Sequence, residues 1–258
     1  MSTIIFSSPI FGPVQSRRLG VSLGVNLLPG DGKYCSFDCI YCECGFNKDH
    51  KTKSLLPTRE EVKIALESTL QKMKNENSAL DVITFAGNGE PTIHPHFGES
   101  IDDTLELGDK YSPYSKVSVP SNAVHIGKPK VFEALQKIDN NILKLDTVNE
   151  DYIRLVDRPV ARYSLPKTIE LLKSFRGNCI IQTMFMKGYF KDKDVNNTTD
   201  EYVLPWIDVV REINPRQVMI YTIDRDTPGQ GLEKATPEEL NRIRDLLVKE
   251  GLDLSVSY

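Results

Sequence analysis

The chain has 258 residues, of which 40% are hydrophobic and 26% are charged, and its formal net charge is −4. This composition is typical of a globular protein, and the acidic balance argues against a surface that is basic throughout. No run approaches the ~20 apolar residues that span a bilayer, and the first residues lack the pattern of a signal peptide. Five cysteines, three of them crowded together, do not resemble a secreted disulfide framework. We therefore expect a cytoplasmic protein without membrane contact.

Short β-rich runs alternate with longer amphipathic runs, which is typical of βα units around a parallel sheet. The predicted strands are Val21–Leu27, Asp81–Phe85, Lys116–Val119, Ile142–Asp146, Cys179–Phe185, Gln217–Ile223 and Asp253–Val256. The predicted helices are Thr58–Lys74, Phe97–Lys110, Pro129–Ile138, Ser164–Phe175, Thr199–Ile213 and Pro237–Glu250. Thr58 and Glu61 have the spacing of a capping box at the start of the first helix.

This order of elements predicts an α/β fold, a partial and open six-strand (βα)6 barrel. A closed eight-stranded barrel needs about 250 residues for its core alone. A doubly wound open sheet is the alternative architecture. We expect one domain over residues 1–258, with a core of about 13–227 and a C-terminal helix and short strand in 228–258. In both architectures, reactive groups collect at the C-terminal ends of the strands.

The most informative feature is a C-x3-C-x2-C loop, formed by Cys35, Cys39 and Cys42, directly after the first predicted strand. A [4Fe-4S] cluster can be held by cysteine thiolates alone, and three thiolates would leave one iron open to an outside molecule. A closed zinc site with Cys44 as fourth ligand is the alternative, although this spacing crowds a tetrahedron. The loop therefore predicts the seat of a catalytic cluster.

A second loop, Gly87–Glu90, follows the second predicted strand. Its glycines allow a sharp turn and a close approach of the backbone to a ligand. Glu90 adds a charge that could meet an ammonium group.

Together the two loops resemble the signatures of the radical S-adenosylmethionine (SAM) superfamily, which often has an aromatic residue, here Tyr41, before the last cysteine. The resemblance spans about residues 13–227. It implies that Cys35, Cys39 and Cys42 bind a [4Fe-4S] cluster whose open iron is chelated by the methionine part of SAM. It further implies that the loop of Gly87, Asn88, Gly89 and Glu90 holds the SAM amino group and that Tyr41 packs against the adenine.

The same resemblance implies reductive cleavage of SAM to methionine and a 5′-deoxyadenosyl radical, which takes a hydrogen atom from a substrate. A one-electron donor such as flavodoxin or ferredoxin would reduce the cluster. The alternative from another class is a non-catalytic zinc- or cluster-binding scaffold.

Four runs resemble a narrower subgroup that includes the wyosine-type tRNA-guanosine synthases: Pro13–Gly20, Gly89–Thr92, Asp157–Pro159 and Thr222–Arg225. Those enzymes carry a second cysteine set before the signature, whereas no cysteine precedes Cys35 here. The substrate is open between a tRNA base, a peptide and a small metabolite, and the likeness favours a base. Arg17 and Arg18 are candidates for a substrate phosphate or for plain surface positions.

Lys144 and Asp146 share one face of the fourth predicted strand, because side chains alternate along a strand. The resemblance assigns Asp146 to the ribose of SAM. Lys144 is the candidate catalytic residue, which could bind a substrate carboxylate or form a Schiff base. A plain ion pair between Lys144 and Asp146 is the alternative.

Two further candidates come from the ends of other strands. Ser121 and Asn122 follow the third predicted strand, where superfamily relatives have a pair that touches cofactor or substrate; an ordinary turn is the alternative. Gln182 shares a strand face with two methionines and is the candidate for a cofactor contact, while the methionines fill the core. The loops after Gly188 and Ile223 are predicted to cover the barrel mouth.

Overall fold

The computed structural model describes residues 3–16 and 18–258. Its strands and helices are, in chain order, β1 (Ile10–Ser16), β2 (Gly20–Val25), α1 (Arg59–Asn75), β3 (Val82–Phe85), α2 (Phe97–Tyr111), β4 (Lys116–Ser121), α3 (Pro129–Lys137), β5 (Asn140–Lys144), α4 (Glu150–Tyr152), α5 (Leu165–Lys173), β6 (Ile180–Met184), β7 (Met186–Phe190), β8 (Lys193–Asp194), α6 (Asp200–Ile213), β9 (Gln217–Tyr221), β10 (Leu232–Lys234), α7 (Pro237–Lys249) and β11 (Leu254–Ser257). A 3-10 turn at Pro91–Ile93 and a π-helical turn at Ile153–Asp157 complete the regular structure.

The main sheet has eight strands in the order β1-β2-β3-β4-β5-β6-β9-β11. All neighbours from β2 to β11 are parallel, and β1 is antiparallel to β2. The strand order follows the chain without the reversal that marks a doubly wound sheet. Among the described residues, β1 and β11 are not paired with each other, so the curled sheet stays an open half-barrel. The predicted partial (βα)6 barrel is confirmed.

The predicted helices form because each has an apolar face toward the sheet. In α1 the buried residues Val62, Leu66, Leu70 and Met73 recur every three or four positions, which places them on one side of the helix. The capping box is present, since the Thr58 side chain accepts a hydrogen bond from the Glu61 N–H and the Glu61 side chain accepts from Thr58. Each large apolar side chain buried in this way contributes about 1.5–3 kcal/mol to folding.

Strand β1 was not predicted from the sequence, for a physical reason. Gly12 and Pro13 interrupt its apolar pattern, and the pairing with β2 shifts register between Phe11 and Val14. Residues 12–15 are exposed because β1 lies at the edge of the sheet. An edge strand with one paired side needs no continuous apolar face.

The segments after Gly188 and Ile223, predicted to be loops that cover the barrel mouth, contain short strands that form a small antiparallel sheet. Their covering of the mouth stays a prediction. β7 pairs with β10 on one side and with β8 on the other. Gly188 lies inside β7, opposite Leu232 of β10. This sheet follows the C-terminal ends of β6 and β9, and it shares an apolar cluster with the cysteine loop that includes Ile40, Tyr41, Met184, Met186, Phe190 and Ile223.

Within the described ranges, none of the helices combines the length and the apolar character that crossing a membrane requires.

Candidate active site

The three cysteines of the C-x3-C-x2-C loop lie at the C-terminal edge of the sheet, in the connection that follows β2. Backbone hydrogen bonds tie this loop to the turns after two other strands. The Tyr34 N–H donates to the Asn88 carbonyl, after β3, at 2.8 Å. The Gly229 N–H, after β9, donates to the Ile40 carbonyl at 2.8 Å. The cysteine loop is therefore held from two sides of the half-barrel mouth.

The thiols of this loop have very different acidities. Burial raises the pKa of Cys35 to about 12 and that of Cys39 well above its ordinary value. A hydrogen bond from the Cys44 thiol, helped by the charge of Lys33, lowers the pKa of Cys42 to about 6. None of these cysteines forms a disulfide. Because thiolates are the metal-binding form, a cationic centre is what this pocket needs to ionise Cys35 and Cys39.

The sulfur of Cys35 accepts two hydrogen bonds from the chain. The Phe37 N–H donates at 3.5 Å, and the side-chain amide of Asn122 donates at 3.7 Å. The same amide donates to the Ser36 hydroxyl at 2.9 Å. The structure thus brings Asn122, predicted from the third strand, directly against the first cysteine. Hydrogen bonds to cysteine sulfur tune the potential of an iron–sulfur centre.

Lys33 is a residue of this site that the sequence reasoning missed. It is 4% exposed, and its ammonium donates a 2.6 Å hydrogen bond to the carbonyl oxygen of Gly45. Burial alone would lower its pKa, but the neighbouring Cys42, Cys35 and Cys39 raise it. A fixed positive charge therefore lies beside the three thiols. In sequence, a lysine next to Gly32 is typical of an exposed turn, so no local pattern indicated its burial.

The Gly87–Glu90 turn needs glycine at two positions. Gly87 and Gly89 have φ angles of +141° and +138°, which side chains rarely tolerate. A Cβ at Gly87 would lie 2.5 Å from the Asn26 side chain, and a Cβ at Gly89 would lie 2.1 Å from the Tyr34 carbonyl oxygen. The turn and the cysteine loop can therefore approach closely only because Gly89 has no side chain.

Asn88 is completely buried inside this turn. Its side-chain oxygen accepts from the Phe6 N–H at 2.8 Å, and its amide donates to the carbonyls of Phe6 and Pro29 at 2.9 and 2.7 Å. The side chain thus fixes the N-terminal segment to the turn. A cofactor contact of Asn88 stays a prediction.

Glu90 is buried, and its carboxylate accepts hydrogen bonds from the chain itself. Oε1 accepts from the hydroxyls of Thr92 and Ser121, at 2.5 and 2.8 Å, and Oε2 accepts from the Asn122 N–H at 2.7 Å. Burial raises the pKa of Glu90, although these hydrogen bonds oppose the shift. Glu90 and Ser121 therefore join the turn after β3 to the end of β4 and position Asn122.

Lys144 and Asp146 do form an ion pair, as the alternative prediction proposed. The Lys144 ammonium also lies 2.9 Å from a carboxylate oxygen of Asp157, and the side chains of Asp146 and Asp157 are almost completely buried. Burial alone would lower the pKa of Lys144, but the charges of Asp146 and Asp157 raise it well above its ordinary value. The other Asp146 oxygen accepts from the Met184 N–H at 3.0 Å. The end of β5 therefore carries a buried cluster of charges.

Tyr41 connects this charged cluster to the cysteine loop. Its hydroxyl donates to Asp146, and the Lys144 ammonium lies 4.6 Å from the centre of its ring. One ring face is thereby covered by a cation. Packing of Tyr41 against an adenine stays a prediction.

Gln182, Arg17 and Arg18 are the remaining candidates. Gln182 is half-buried on β6, in register with Lys144 of β5 and Met219 of β9, and its cofactor contact stays a prediction. Arg17 lies outside the described residues. The Arg18 guanidinium stacks over the Tyr221 ring at 4.6 Å.

The donor set fits an iron–sulfur cluster, because thiolates are its natural ligands and the Cys35 sulfur has hydrogen-bond donors in place. In the described part of the chain, no three His, Cys, Asp or Glu side chains are grouped so that they could hold a metal ion. The assignment of the three cysteines therefore depends on their shared loop and spacing, and not on convergence of the thiols in the structure.

The amino-acid sequence was compared with protein families and with known proteins. Residues 31–202 match the family described as the Radical SAM superfamily. A "UPF0026 protein" of Helicobacter pylori is 33% identical over 256 residues, covering 96% of this chain and 75% of that protein.

Two solved structures share the fold. A radical SAM methyltransferase from Sphaerobacter thermophilus matches with a TM-score of 0.68 and 15% identity, over 92% of this chain and 66% of that one. Streptococcus suis SuiB bound to S-adenosylmethionine matches with a TM-score of 0.63 and 18% identity, over 91% of this chain and 50% of that one. This chain thus spans about half to two thirds of these structural neighbours.

Proposed function

This chain belongs to the radical SAM superfamily, and we propose that Cys35, Cys39 and Cys42 hold its [4Fe-4S] cluster at the mouth of the half-barrel. When bound, the cluster and SAM together supply a reductive cleavage that yields a 5′-deoxyadenosyl radical, which abstracts a hydrogen atom from the substrate. The observation that carries the proposal is the contact between the two signature loops. Tyr34, next to the first cysteine, exchanges backbone hydrogen bonds of 2.8 and 3.3 Å with Asn88 and Glu90.

The turn at Gly87–Glu90 is assigned to the amino group of SAM. The Glu90 carboxylate already accepts hydrogen bonds from Thr92, Ser121 and Asn122. We therefore expect backbone carbonyl groups of the turn, and not this carboxylate, to accept hydrogen bonds from the amino group. Glu90 would act by holding Asn122 against Cys35.

Asp146 is assigned to the ribose of SAM and Tyr41 to the adenine. Because the Lys144 ammonium covers one face of the Tyr41 ring, an adenine would have to use the other face or the edge. Lys144 stays the candidate catalytic residue, but its ion pairs with Asp146 and Asp157 favour a role in neutralising these carboxylates.

A one-electron donor such as flavodoxin or ferredoxin would supply the electron, on the superfamily resemblance alone. The substrate is a nucleic-acid base, a peptide or a small metabolite. A non-catalytic scaffold is disfavoured, because the chain belongs to the radical SAM superfamily and a radical SAM methyltransferase has the same fold.

The test is anaerobic purification followed by iron and sulfide analysis and by assay of 5′-deoxyadenosine formed from SAM and dithionite. We expect a brown protein with about four irons per chain that forms 5′-deoxyadenosine. Cys39→Ala should lose both the colour and the product while its circular dichroism is retained.

Two matched controls sharpen this test. Cys44→Ala removes the thiol that would complete a four-cysteine site, and we expect its iron content to be kept. Cys179→Ala makes the same change in the core, where the thiol is fully buried. Loss of metal in the Cys44 variant, or zinc in place of iron in the unaltered protein, would contradict the three-cysteine assignment.

A further inference from the structure

A cavity lies between the β4–α3 connection and the start of α5. Its volume is about 600 Å³, within the ~300–1,000 Å³ of small-molecule sites. One wall is formed by the connection, Val124 to Lys128, and the other by residues 162–171. No carboxylate lines it.

Three cations lie at this cavity: Lys128, Arg162 and Lys167. Over residues 3–16 and 18–258, none of the three forms an ion pair or a side-chain hydrogen bond. By contrast, two lysines of the neighbouring helices α3 and α5 do form ion pairs. Lys130 of α3 lies 3.2 Å from Glu99, and Lys173 of α5 lies 2.8 Å from Glu212. The cavity therefore concentrates positive charge that the chain does not neutralise.

The start of α5 adds to this charge. Ser164 is the N-cap residue and makes no side-chain cap hydrogen bond, and the first turn has no acidic residue. Ser164 and Lys167 both line the cavity. The positive N-terminal end of the α5 helix dipole therefore lies at the cavity wall.

One wall contacts the cysteine loop directly, and the other is joined to it through Asn122. The Tyr163 ring packs edge-on against Phe37, with 5.5 Å between the ring centres. The Val124 N–H donates to the side-chain oxygen of Asn122 at 3.2 Å, and the Asn122 amide reaches the Cys35 sulfur. The residues that line this cavity are therefore neighbours of residues in the cysteine loop.

We propose that this cavity binds the phosphate of a nucleotide substrate, with Lys128, Arg162 and Lys167 as its ligands. Guanidinium and ammonium groups suit phosphate oxygens, and a phosphate monoester concentrates more negative charge at one point than a single peptide carboxylate does. A free nucleotide and a nucleotide within RNA present the same group. The description of the nucleotide as substrate depends on the proposed function, whereas its binding can be measured separately.

The experiment uses cluster-loaded protein under anaerobic conditions with SAM present, so that the SAM site is filled. Binding of guanosine 5′-monophosphate, guanosine and a short single-stranded RNA is followed by titration calorimetry. We expect the monophosphate to bind at least about tenfold more tightly than guanosine, with an affinity that falls as salt rises. If the RNA binds far more tightly than the monophosphate, the phosphate that the cavity binds belongs to RNA. If the two affinities are equal, it belongs to a free nucleotide.

The combined variant Lys128→Gln, Arg162→Gln, Lys167→Gln should weaken binding of the monophosphate at least about tenfold. Lys130→Gln, at a paired lysine outside the cavity, should bind as the unaltered protein does. Because the three substituted side chains are exposed, the fold should be retained. The single variant Lys167→Gln should weaken binding of the monophosphate less than the combined variant does. Equal binding of nucleoside and monophosphate, an unchanged affinity in the combined variant, or no binding at all would overturn the proposal.

The two proposals fail in different ways. Unaltered protein that forms 5′-deoxyadenosine but binds no nucleotide contradicts the cavity assignment alone. Unaltered protein that binds the monophosphate but never cleaves SAM contradicts the proposed function alone.

Discussion

The Lys33 ammonium donates a 2.6 Å hydrogen bond to the carbonyl oxygen of Gly45, so it bridges the two ends of the cysteine loop. Both residues are buried, and the charge lies beside Cys42, which it helps to ionise. A single side chain thus combines two tasks. It closes the loop mechanically, and it offsets negative charge on the thiolates.

Replacing Lys33 by methionine should therefore have two effects. The buried Gly45 carbonyl would lose its charged partner, at a cost of about 1–3 kcal/mol of folding free energy. Loss of the positive charge should also make the proposed cluster harder to reduce. Redox titration followed by electron paramagnetic resonance should give a more negative midpoint potential than that of the unaltered protein.

Lys51→Met, at an exposed lysine that bridges to Lys33 through the backbone, is the control and should leave the potential unchanged. An unchanged potential in the Lys33 variant would show that the charge does not act on the cluster.

Gly89→Ala tests the close contact of the two signature loops. The new Cβ would meet the Tyr34 carbonyl oxygen at 2.1 Å, so the cysteine loop would have to move. Gly251 also has a positive φ, +75°, but a Cβ there would meet nothing within 4 Å. We expect Gly251→Ala to cost about 1 kcal/mol of stability through backbone strain alone, and Gly89→Ala to cost more than about 3 kcal/mol. Iron content should fall only in the Gly89 variant. Similar stability and iron content in both variants would show that the loops can separate freely.

The sequence predicted those helices and strands whose hydrophobic pattern and capping residues match their burial in the fold. The Thr58–Glu61 capping box and the alternating strands behind the two signature loops are such cases. The sequence did not predict the burial of Lys33, because its partner Gly45 is brought to it by the cysteine loop as a whole. Asp157 is similar: a π-helical turn carries it to Lys144, and no spacing along the chain encodes that contact. Contacts between charged residues that are distant in the chain are made by the tertiary structure, whereas the Lys144–Asp146 pair, two residues apart, and the cysteine motif are local in sequence.

The pairing of Lys144 with two carboxylates can be measured by a double-mutant cycle. Lys144→Met alone leaves Asp146 and Asp157 buried without their cation and should lower the free energy of unfolding by about 3–5 kcal/mol. Adding Asp157→Asn removes one of the stranded charges, so the double variant should be more stable than the sum of the single effects predicts. Urea unfolding of the cluster-loaded protein and its variants at pH 8, where Asp157 is ionised in the folded protein, gives the coupling energy between Lys144 and Asp157. Additive effects would mean that the Lys144 and Asp157 side chains are not paired in solution.

The last prediction concerns how stability depends on pH. Burial raises the pKa of Asp157 from 3.8 to about 7, although Lys144 opposes the shift. Between these two values the folded protein keeps a proton on Asp157 that the unfolded chain has already lost. The folded state therefore binds more protons, and this group makes stability fall as pH rises from about 4 to about 7, after which its contribution is constant. Asp157→Asn carries no titrating group, so the stability difference between the variant and the unaltered protein should change across that window and level off above it. Unfolding midpoints in urea measured from pH 5 to pH 8 provide the comparison, and acid lability common to both proteins cancels in the difference. A difference that is flat over this range would mean that the Asp157 carboxyl is already ionised in the folded protein, with Lys144 outweighing its burial.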